Sequence, residues 1–173
     1  MPPRPIIATA RLDERAFAFF DGLRRKHFPP KRNLIPAHLT LFHHLPGEDP
    51  EQVRHVVETV CRRFLTPSGR VTKVISLGKG VAYRLELPGL GRIRDRIADA
   101  FHDNLTKQDQ QPLRAHVTVQ NKVEPAVAKQ TLARLREEFE PFDLRVVGVD
   151  LWYYEGGPWT PFAFVAFREA PEA

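Results

Sequence analysis

Apolar and polar residues alternate along seven stretches of this chain, and longer stretches between them repeat apolar residues every three or four positions. Alternation is typical of a half-buried strand, and the longer period is typical of an amphipathic helix. Strands are predicted at residues 6–12, 37–45, 71–77, 81–87, 113–122, 142–154 and 159–168. Helices are predicted at residues 14–27, 50–64, 88–105 and 125–139. The pattern therefore predicts a mixed α+β fold.

Aspartate, proline and glycine residues lie at the borders of these predicted strands and helices. Asp13 and Asp49 stand directly before predicted helices, where a carboxylate can accept hydrogen bonds from free backbone N–H groups. Pro50 then occupies the first helical position, which tolerates its missing N–H. The sequence Gly78-Lys79-Gly80 lies between two predicted strands and favours a hairpin.

The predicted elements follow the same order twice. Residues 6–64 and 81–139 each contain a strand, a helix, a polar or basic loop, a second strand and a second helix, and a pair of strands follows at 142–168. We interpret this order as an internal duplication. It predicts a single bilobal domain over residues 1–173, in which the sheets of two α+β lobes face each other across a cleft.

Composition narrows the class of protein. The chain of 173 residues has 42% hydrophobic and 27% charged residues, as soluble globular proteins do. It has no apolar run of membrane-spanning length and no signal-peptide pattern at its start, so we expect no membrane partner. Its one cysteine excludes an internal disulfide and a cysteine-based metal site, which favours a reducing, cytoplasmic location. The net charge of +5 favours an anionic partner such as RNA or a nucleotide.

One short motif occurs once in each repeat. His38-Leu39-Thr40-Leu41 is matched by His116-Val117-Thr118-Val119, and both lie on predicted strands. Residues two apart on a strand share a face, so each histidine points the same way as the threonine that follows it. A single short motif is a weak signal, but a matched pair in duplicated positions indicates a shared function.

Two histidines and two threonines suit a reaction that needs both a general base and a general acid. One group takes a proton from the attacking group, and another gives a proton to the leaving group. Imidazoles, with an ordinary pKa near 6.5, can divide these tasks at neutral pH. The threonine hydroxyls can donate hydrogen bonds to an anionic group held between the two rings. The residues alone leave open which of His38 and His116 is the acid.

On these two motifs, their separation and the duplicated layout, the sequence resembles the two-histidine phosphoesterase superfamily. It is most similar to the 2′-5′ RNA ligase or RNA 2′,3′-cyclic phosphodiesterase branch, over essentially the whole chain. The resemblance implies a bilobal fold with antiparallel sheets around a central cleft and helices outside. It also implies chemistry without a metal or other cofactor, on cyclic phosphates or 2′-5′ linkages of RNA or nucleotides.

The resemblance also implies roles for the motif residues. His38 would donate a proton to the leaving 3′ oxygen, and His116 would accept one from water, so that a 2′,3′-cyclic end becomes a 2′-phosphate. Thr40 and Thr118 would complete the catalytic set. If a 5′-hydroxyl replaces water as the attacking group, the same residues would form a 2′-5′ bond.

Neighbouring residues supply candidate substrate contacts. Arg114 lies two positions before His116, so it is predicted to face the phosphate, although a solvent-facing ion pair is the alternative. Phe42 continues the face of His38 and could stack on a base, with core packing as the alternative. His43 is predicted to point away from the groove. The aromatic residues Trp152 and Trp159 could pack in the core or carry a nucleobase.

Two other classes of function fit parts of the sequence. A metal enzyme could use several histidines, but no H-x-x-x-H or carboxylate-bearing motif supports it. A non-catalytic RNA-binding module would use a basic groove, but binding alone does not need a paired acid and base. Within the enzyme class, RNA ends, small cyclic nucleotides, ADP-ribose cyclic phosphate and 2′-5′ oligoadenylate remain open as substrates. A monomer suffices, because the duplication already supplies both walls of the cleft.

Overall fold

All the strands and helices predicted from periodicity are present in residues 3–169, the part of the chain that the computed structural model describes. The strands are β1 (Ile6–Leu12), β2 (Leu39–Leu45), β3 (Ser68–Ser76), β4 (Val81–Glu86), β5 (His116–Gln120), β6 (Phe142–Tyr153) and β7 (Thr160–Ala166). The helices are α1 (Glu14–His27), α2 (Pro50–Cys61), α3 (Pro88–Ala100) and α4 (Pro125–Glu138). The predicted α+β class is confirmed.

Side-chain caps begin the first two helices where the sequence predicted them. The Asp13 carboxylate accepts a hydrogen bond of 2.9 Å from the backbone N–H of Ala16. The Asp49 carboxylate accepts one of 3.1 Å from the backbone N–H of Gln52. Such caps satisfy donors that the helix itself leaves free, and each contributes about 1 kcal/mol. These helices therefore begin within one residue of their predicted starts.

Within the described residues the strands form one seven-stranded sheet, and every pairing between them is antiparallel. Its order is β2-β1-β6-β3-β4-β5, with β7 beside β6. Residues 142–145 of β6 pair with β3, and residues 146–153 pair with β1. The sequence predicted a separate sheet in each lobe. The difference arises because the long strand β6 takes part in both.

The sheet is curled, and its two edge strands meet. β2 and β5 lie at opposite ends of the strand order, yet they are in contact. In a flat sheet these strands would be roughly 20 Å or more apart, because neighbouring strands are about 4.8 Å apart. Helix α1 also packs against β5. The curl therefore brings together the two strands that carry the histidine motifs.

The segment between α3 and β5 differs most from its prediction. Helix α3 ends at Ala100, and a short 3-10 turn over His102–Asn104 replaces its predicted last turn. Phe101 is buried in the core, and its backbone has left helical geometry. β5 begins only at His116, so residues 105–115 form a long loop beside the second motif.

In each half, one helix connects two strands that pair with each other in antiparallel fashion. Helix α1 connects β1 and β2, and helix α3 connects β4 and β5. This layout agrees with an internal duplication, which stays a prediction. Among the helices within residues 3–169, none combines the length and the apolar composition that a membrane span requires.

Candidate active site

The two motif histidines make the same local hydrogen bond. Nδ1 of His38 donates to the backbone carbonyl oxygen of Pro36 at 2.9 Å, and Nδ1 of His116 donates to that of Arg114 at 2.8 Å. Because a carbonyl oxygen only accepts, Nδ1 carries the hydrogen in both neutral rings. Each ring thus keeps Nε2 available as a proton acceptor, or as a donor once protonated.

The surroundings of His38 favour its neutral form. Burial of this half-buried ring lowers its pKa from 6.5 to about 4, although the hydrogen bond to Pro36 opposes the change. Positive charge on Arg24 and His116 lowers the pKa further. The two motif histidines are therefore close enough to interact electrostatically, and His38 is neutral at pH 7 in the free protein.

This pKa predicts a loss of stability in acid. The unfolded chain protonates His38 near pH 6.5, whereas the folded protein does so only near pH 4. The contribution of His38 to the free energy of unfolding is therefore complete above about pH 6.5. It declines as the pH falls toward 4. We expect urea unfolding at pH 7.5 and pH 5 to show a smaller pH effect in His38→Asn than in wild type. The exposed His55 provides a matched control as His55→Asn, and an equal pH effect in wild type and His38→Asn would contradict the prediction.

A cavity of about 680 Å³ brings together three of the predicted site residues, Thr40, Arg114 and His116. Arg114 is exposed on its wall, as a residue that meets a phosphate should be. His38, which directly precedes β2, lines a second, smaller cavity of about 310 Å³ instead. Thr118 is half-buried and lines neither cavity, and its carbonyl oxygen is bound by Arg24.

The structure favours core packing for Phe42 over stacking on a base, and the predicted orientation of His43 is wrong, because both readings of the groove face assumed unbroken alternation along β2. The pairing of β1 with β2 has register shifts around Ala8, which pairs with Phe42. As a result, Leu41 and Phe42 are both buried, and Phe42 has no exposed surface with which to stack on a base. His43 is exposed instead and lines the larger cavity with Thr40 and His116.

Asp109 holds the long loop before β5 against this irregular part of β2. Its side chain is 1% exposed, and its two oxygens accept hydrogen bonds of 2.9 and 2.8 Å from the backbone N–H groups of His43 and His44. Desolvation would raise the pKa of Asp109, but the hydrogen bonds from the His43 ring and from both backbone N–H groups outweigh it and lower the pKa. The loop wall of the larger cavity is therefore fixed by a buried, ionised carboxylate.

Two buried arginines connect each half of the chain to the motif strand of the other half. From α1, Arg24 donates to the carbonyl oxygens of Ile35 at 3.1 Å and Thr118 at 3.0 Å. From α3, Arg94 donates to the carbonyl oxygen of Leu41 at 3.3 Å and to that of Asp109. Arg24 thus joins the loop before His38 to the strand of the second motif. Arg94 joins the loop before His116 to the strand of the first motif. We refer to Arg24 and Arg94 as the crossed arginines.

Removing one of the crossed arginines should weaken both the fold and the site. In Arg24→Met, the carbonyl groups of Ile35 and Thr118 and the side chain of Asn33 lose their donor, while the apolar bulk is kept. Unsatisfied buried groups cost about 1–3 kcal/mol each, so we expect the free energy of unfolding to fall by about 2–4 kcal/mol. Urea unfolding measures this change. Arg25→Met, at an exposed position next to it, should change the value by less than about 0.5 kcal/mol. Equal effects of the two substitutions would contradict a bracing role for Arg24.

Arg84 is a candidate that the sequence did not reveal. It lies on β4 directly opposite His116 on β5, and directly opposite residues share a face of an antiparallel sheet. Its Nε atom is buried and has no hydrogen-bond partner among the residues described. A cation with unused donor capacity beside His116 suits an anionic substrate. Only the pairing of β4 with β5 reveals this position.

The histidines do not gather into a metal site in the part of the chain that the structure covers. Within residues 3–169, no group of three or more His, Cys, Asp or Glu side chains could hold a metal ion. Cys61 is fully buried on α2, and burial raises the pKa of its thiol to about 12.

Comparison with known proteins adds an independent observation. The family model of the 2′-5′ RNA ligase superfamily matches residues 12–158. Among solved structures, TT0787 of Thermus thermophilus is similar with a TM-score of 0.67 and 16% identity, over 95% of this chain and 98% of that one. E. coli LigT complexed with 3′-AMP has a TM-score of 0.63 and 17% identity, over 97% of this chain and 100% of that one. No curated protein matches the chain. At these identities the structural likeness establishes a shared fold.

Proposed function

This chain belongs to the 2′-5′ RNA ligase superfamily, and we propose that it is a phosphodiesterase that opens 2′,3′-cyclic phosphates at the ends of RNA or nucleotides. The observation that carries the proposal is the matched pair His38 and His116. Both rings are fixed through Nδ1 and keep Nε2 available for proton transfer. E. coli LigT has been crystallised with 3′-AMP and with NADP+, which supports a nucleotide-like ligand for this chain.

In the proposed reaction, a water oxygen forms a bond to phosphorus while the bond from phosphorus to the 3′ oxygen breaks. One imidazole takes the proton from water, and the other gives a proton to the 3′ oxygen, which leaves a 2′-phosphate. Thr40 and Thr118 would orient the phosphate oxygens, and Arg84 and Arg114 would oppose their charge. If a 5′-hydroxyl replaces water and forms the bond to phosphorus while the bond to the 3′ oxygen breaks, the product is a 2′-5′ bond.

The assignment of acid and base depends on the state of His38. The low pKa of His38 suits a proton acceptor in the free protein. The family resemblance instead implies that His38 is the proton donor. A bound phosphate anion raises the pKa of a neighbouring imidazole. We therefore propose that substrate binding protonates His38 for the donor role. NMR titration of the His38 ring should show a higher midpoint with adenosine 2′-monophosphate bound. An unchanged midpoint would mean that His38 is the proton acceptor and His116 the proton donor.

The test of the function is hydrolysis of an RNA oligonucleotide with a 2′,3′-cyclic end in EDTA. A 2′-phosphate product supports the proposal, because the proton transfers then need no added metal. Absence of any hydrolysis of cyclic or 2′-5′-linked substrates would overturn it in favour of a non-catalytic RNA-binding module.

A further inference from the structure

His43 is a third histidine beside the two motif histidines. It lines the larger cavity together with Thr40 and His116. Positive charge on His43 also lowers the pKa of His38, so the two rings are close enough to interact. The reaction proposed above needs one proton acceptor and one proton donor, which His38 and His116 supply. His43 is therefore available for a different task at the same site.

The ring of His43 has a fixed orientation. Its Nδ1 atom donates a hydrogen bond of 3.3 Å to Oδ1 of Asp109, and the backbone N–H of His43 donates to the same oxygen at 2.9 Å. The Asp109 side chain is 1% exposed, whereas that of His43 is 49% exposed. Because a carboxylate only accepts, Nδ1 carries a hydrogen and Nε2 is left for a ligand. A buried carboxylate behind an exposed imidazole is an arrangement that orients the ring for binding or proton transfer.

The charges around the larger cavity exceed those that one phosphate needs. A cyclic phosphodiester carries a single negative charge. One protonated motif histidine, Arg84 and Arg114 already oppose it in the proposed reaction, and Arg114 forms no ion pair within residues 3–169. The other charged residues of the cavity wall, Arg94 and Asp109, balance each other. A further imidazole that can carry a positive charge therefore suits a second anion.

The larger cavity also has room for a second group. Its volume of about 680 Å³ lies within the range for small-molecule sites. The attacking water molecule needs only about 30 Å³ of this space. Gln108 and Gln111, from the loop before β5, line the cavity and are exposed, and their amide groups can donate hydrogen bonds. The cavity thus offers donors besides those that contact the reacting phosphate.

We propose that His43 binds a second phosphate of the substrate, on the 5′ oxygen of the ribose that carries the cyclic phosphate. Under the proposed function, on which this assignment rests, His43 is then a specificity-determining residue. The sugar and the bases of RNA are uncharged at neutral pH, so the nearest other anion along the chain is the phosphate one ribose away. It is an internal phosphodiester in RNA and a terminal phosphate in a nucleotide. With Asp109 on one side and this phosphate on the other, the protonated ring donates a charge-assisted hydrogen bond from each nitrogen.

Two substrates that differ only in the 5′-phosphate test this contact. In wild type, the 5′-phosphorylated form of adenosine 2′,3′-cyclic phosphate should have a Michaelis constant about 10-fold below that of the unphosphorylated form, as one charge-assisted hydrogen bond would give. In His43→Ala the two Michaelis constants should be equal. Their ratio is the readout, because a change that affects both substrates alike cancels. Equal constants in wild type, or an unchanged ratio in His43→Ala, would overturn the proposal.

His44→Ala is the matched control. His44 is the next residue, is also exposed, and binds the same Asp109 carboxylate through its backbone N–H. Its side chain lines a different cavity, together with Glu48 and Asp103. The wild-type ratio should therefore persist in His44→Ala. Its loss there would mean that the contact between β2 and Asp109 sets the ratio, which would contradict a role for the His43 ring.

A dinucleotide distinguishes the two sources of the second phosphate. Adenylyl-(3′→5′)-adenosine 2′,3′-cyclic phosphate carries this phosphate as a diester, whereas the phosphorylated nucleotide carries it as a monoester. A lower Michaelis constant that depends on His43 for the diester indicates RNA ends as substrates. The same result for the monoester alone indicates nucleotides. No dependence on His43 with either substrate would overturn the proposal.

Binding of product-like nucleotides separates this proposal from the proposed function. By calorimetry, adenosine 2′,5′-bisphosphate should have a Kd about 10-fold below that of adenosine 2′-monophosphate in wild type, and the two Kd values should be equal in His43→Ala. If cyclic phosphates are hydrolysed but neither ratio depends on His43, the second phosphate contact is wrong and the function stands. If no substrate is hydrolysed but the Kd ratio depends on His43, the contact stands and the function is wrong.

Discussion

Replacing His116 with alanine is expected to lower the rate of cyclic-phosphate opening by about 10²- to 10⁴-fold, the usual contribution of a positioned acid or base. His38→Ala should have an effect of the same order. The double variant should be little worse than either single variant, because groups that act on one transition state are not additive. The measurement is single-turnover hydrolysis of a 2′,3′-cyclic RNA end in EDTA.

Two controls make this result specific to the imidazoles. His102→Ala removes an exposed histidine from the 3-10 turn and should leave the rate unchanged. Added imidazole should partly restore His116→Ala, because His116 is exposed on the wall of the larger cavity. Single variants that keep more than half of the wild-type rate would show that neither ring transfers a proton in the reaction.

Replacing Asp109 with alanine is expected to lower the free energy of unfolding by about 2–5 kcal/mol. The substitution leaves the backbone N–H groups of His43 and His44 without their acceptor, at about 1–3 kcal/mol each. It also removes a carboxylate that raises the pKa of the buried Arg94 guanidinium, which desolvation lowers, and so it removes an interaction that favours this buried cation. Urea unfolding at pH 7 measures the loss.

The effect of Asp109 should depend on pH in a defined direction. Since its folded pKa is lowered, its contribution is complete above its ordinary pKa near 4 and is lost as the pH falls below that value. Asp103→Ala, at an exposed carboxylate nearby, should change the unfolding free energy by less than about 0.5 kcal/mol. A similarly small loss for Asp109→Ala would mean that the loop is held by its other contacts.

The sequence predicted those features that depend on local patterns. Periodicity located the strands and helices, and acidic caps at Asp13 and Asp49 located two helix starts, because these signals lie within a few residues of one another. The histidine motifs were recognisable for the same reason. A tetrapeptide repeated at matching positions needs no knowledge of the sheet.

The features that the sequence predicted wrongly, or did not reveal, depend on contacts between segments that are distant along the chain. The register shift that buries Phe42 and exposes His43 arises where β2 pairs with β1, so alternation along β2 alone could not reveal it. Arg24 and Arg94 resemble ordinary surface arginines on amphipathic helices, and only the curl of the sheet gives their guanidinium groups carbonyl partners. Asp109 lies in a polar loop, where an acidic residue carries no signal of burial.

The position of β6 near the end of the chain has a consequence for biosynthesis. Ala8 pairs with Leu151, and Gly69 pairs with Leu144, so β1 and β3 both leave the ribosome long before their common partner. Until then each has an unpaired edge, which is the kind of surface that promotes aggregation in nascent chains. Pairings so distant in sequence also slow folding. A chain that stops before residue 142 would contain both histidine motifs and lack the strand that joins the two parts of the sheet carrying them.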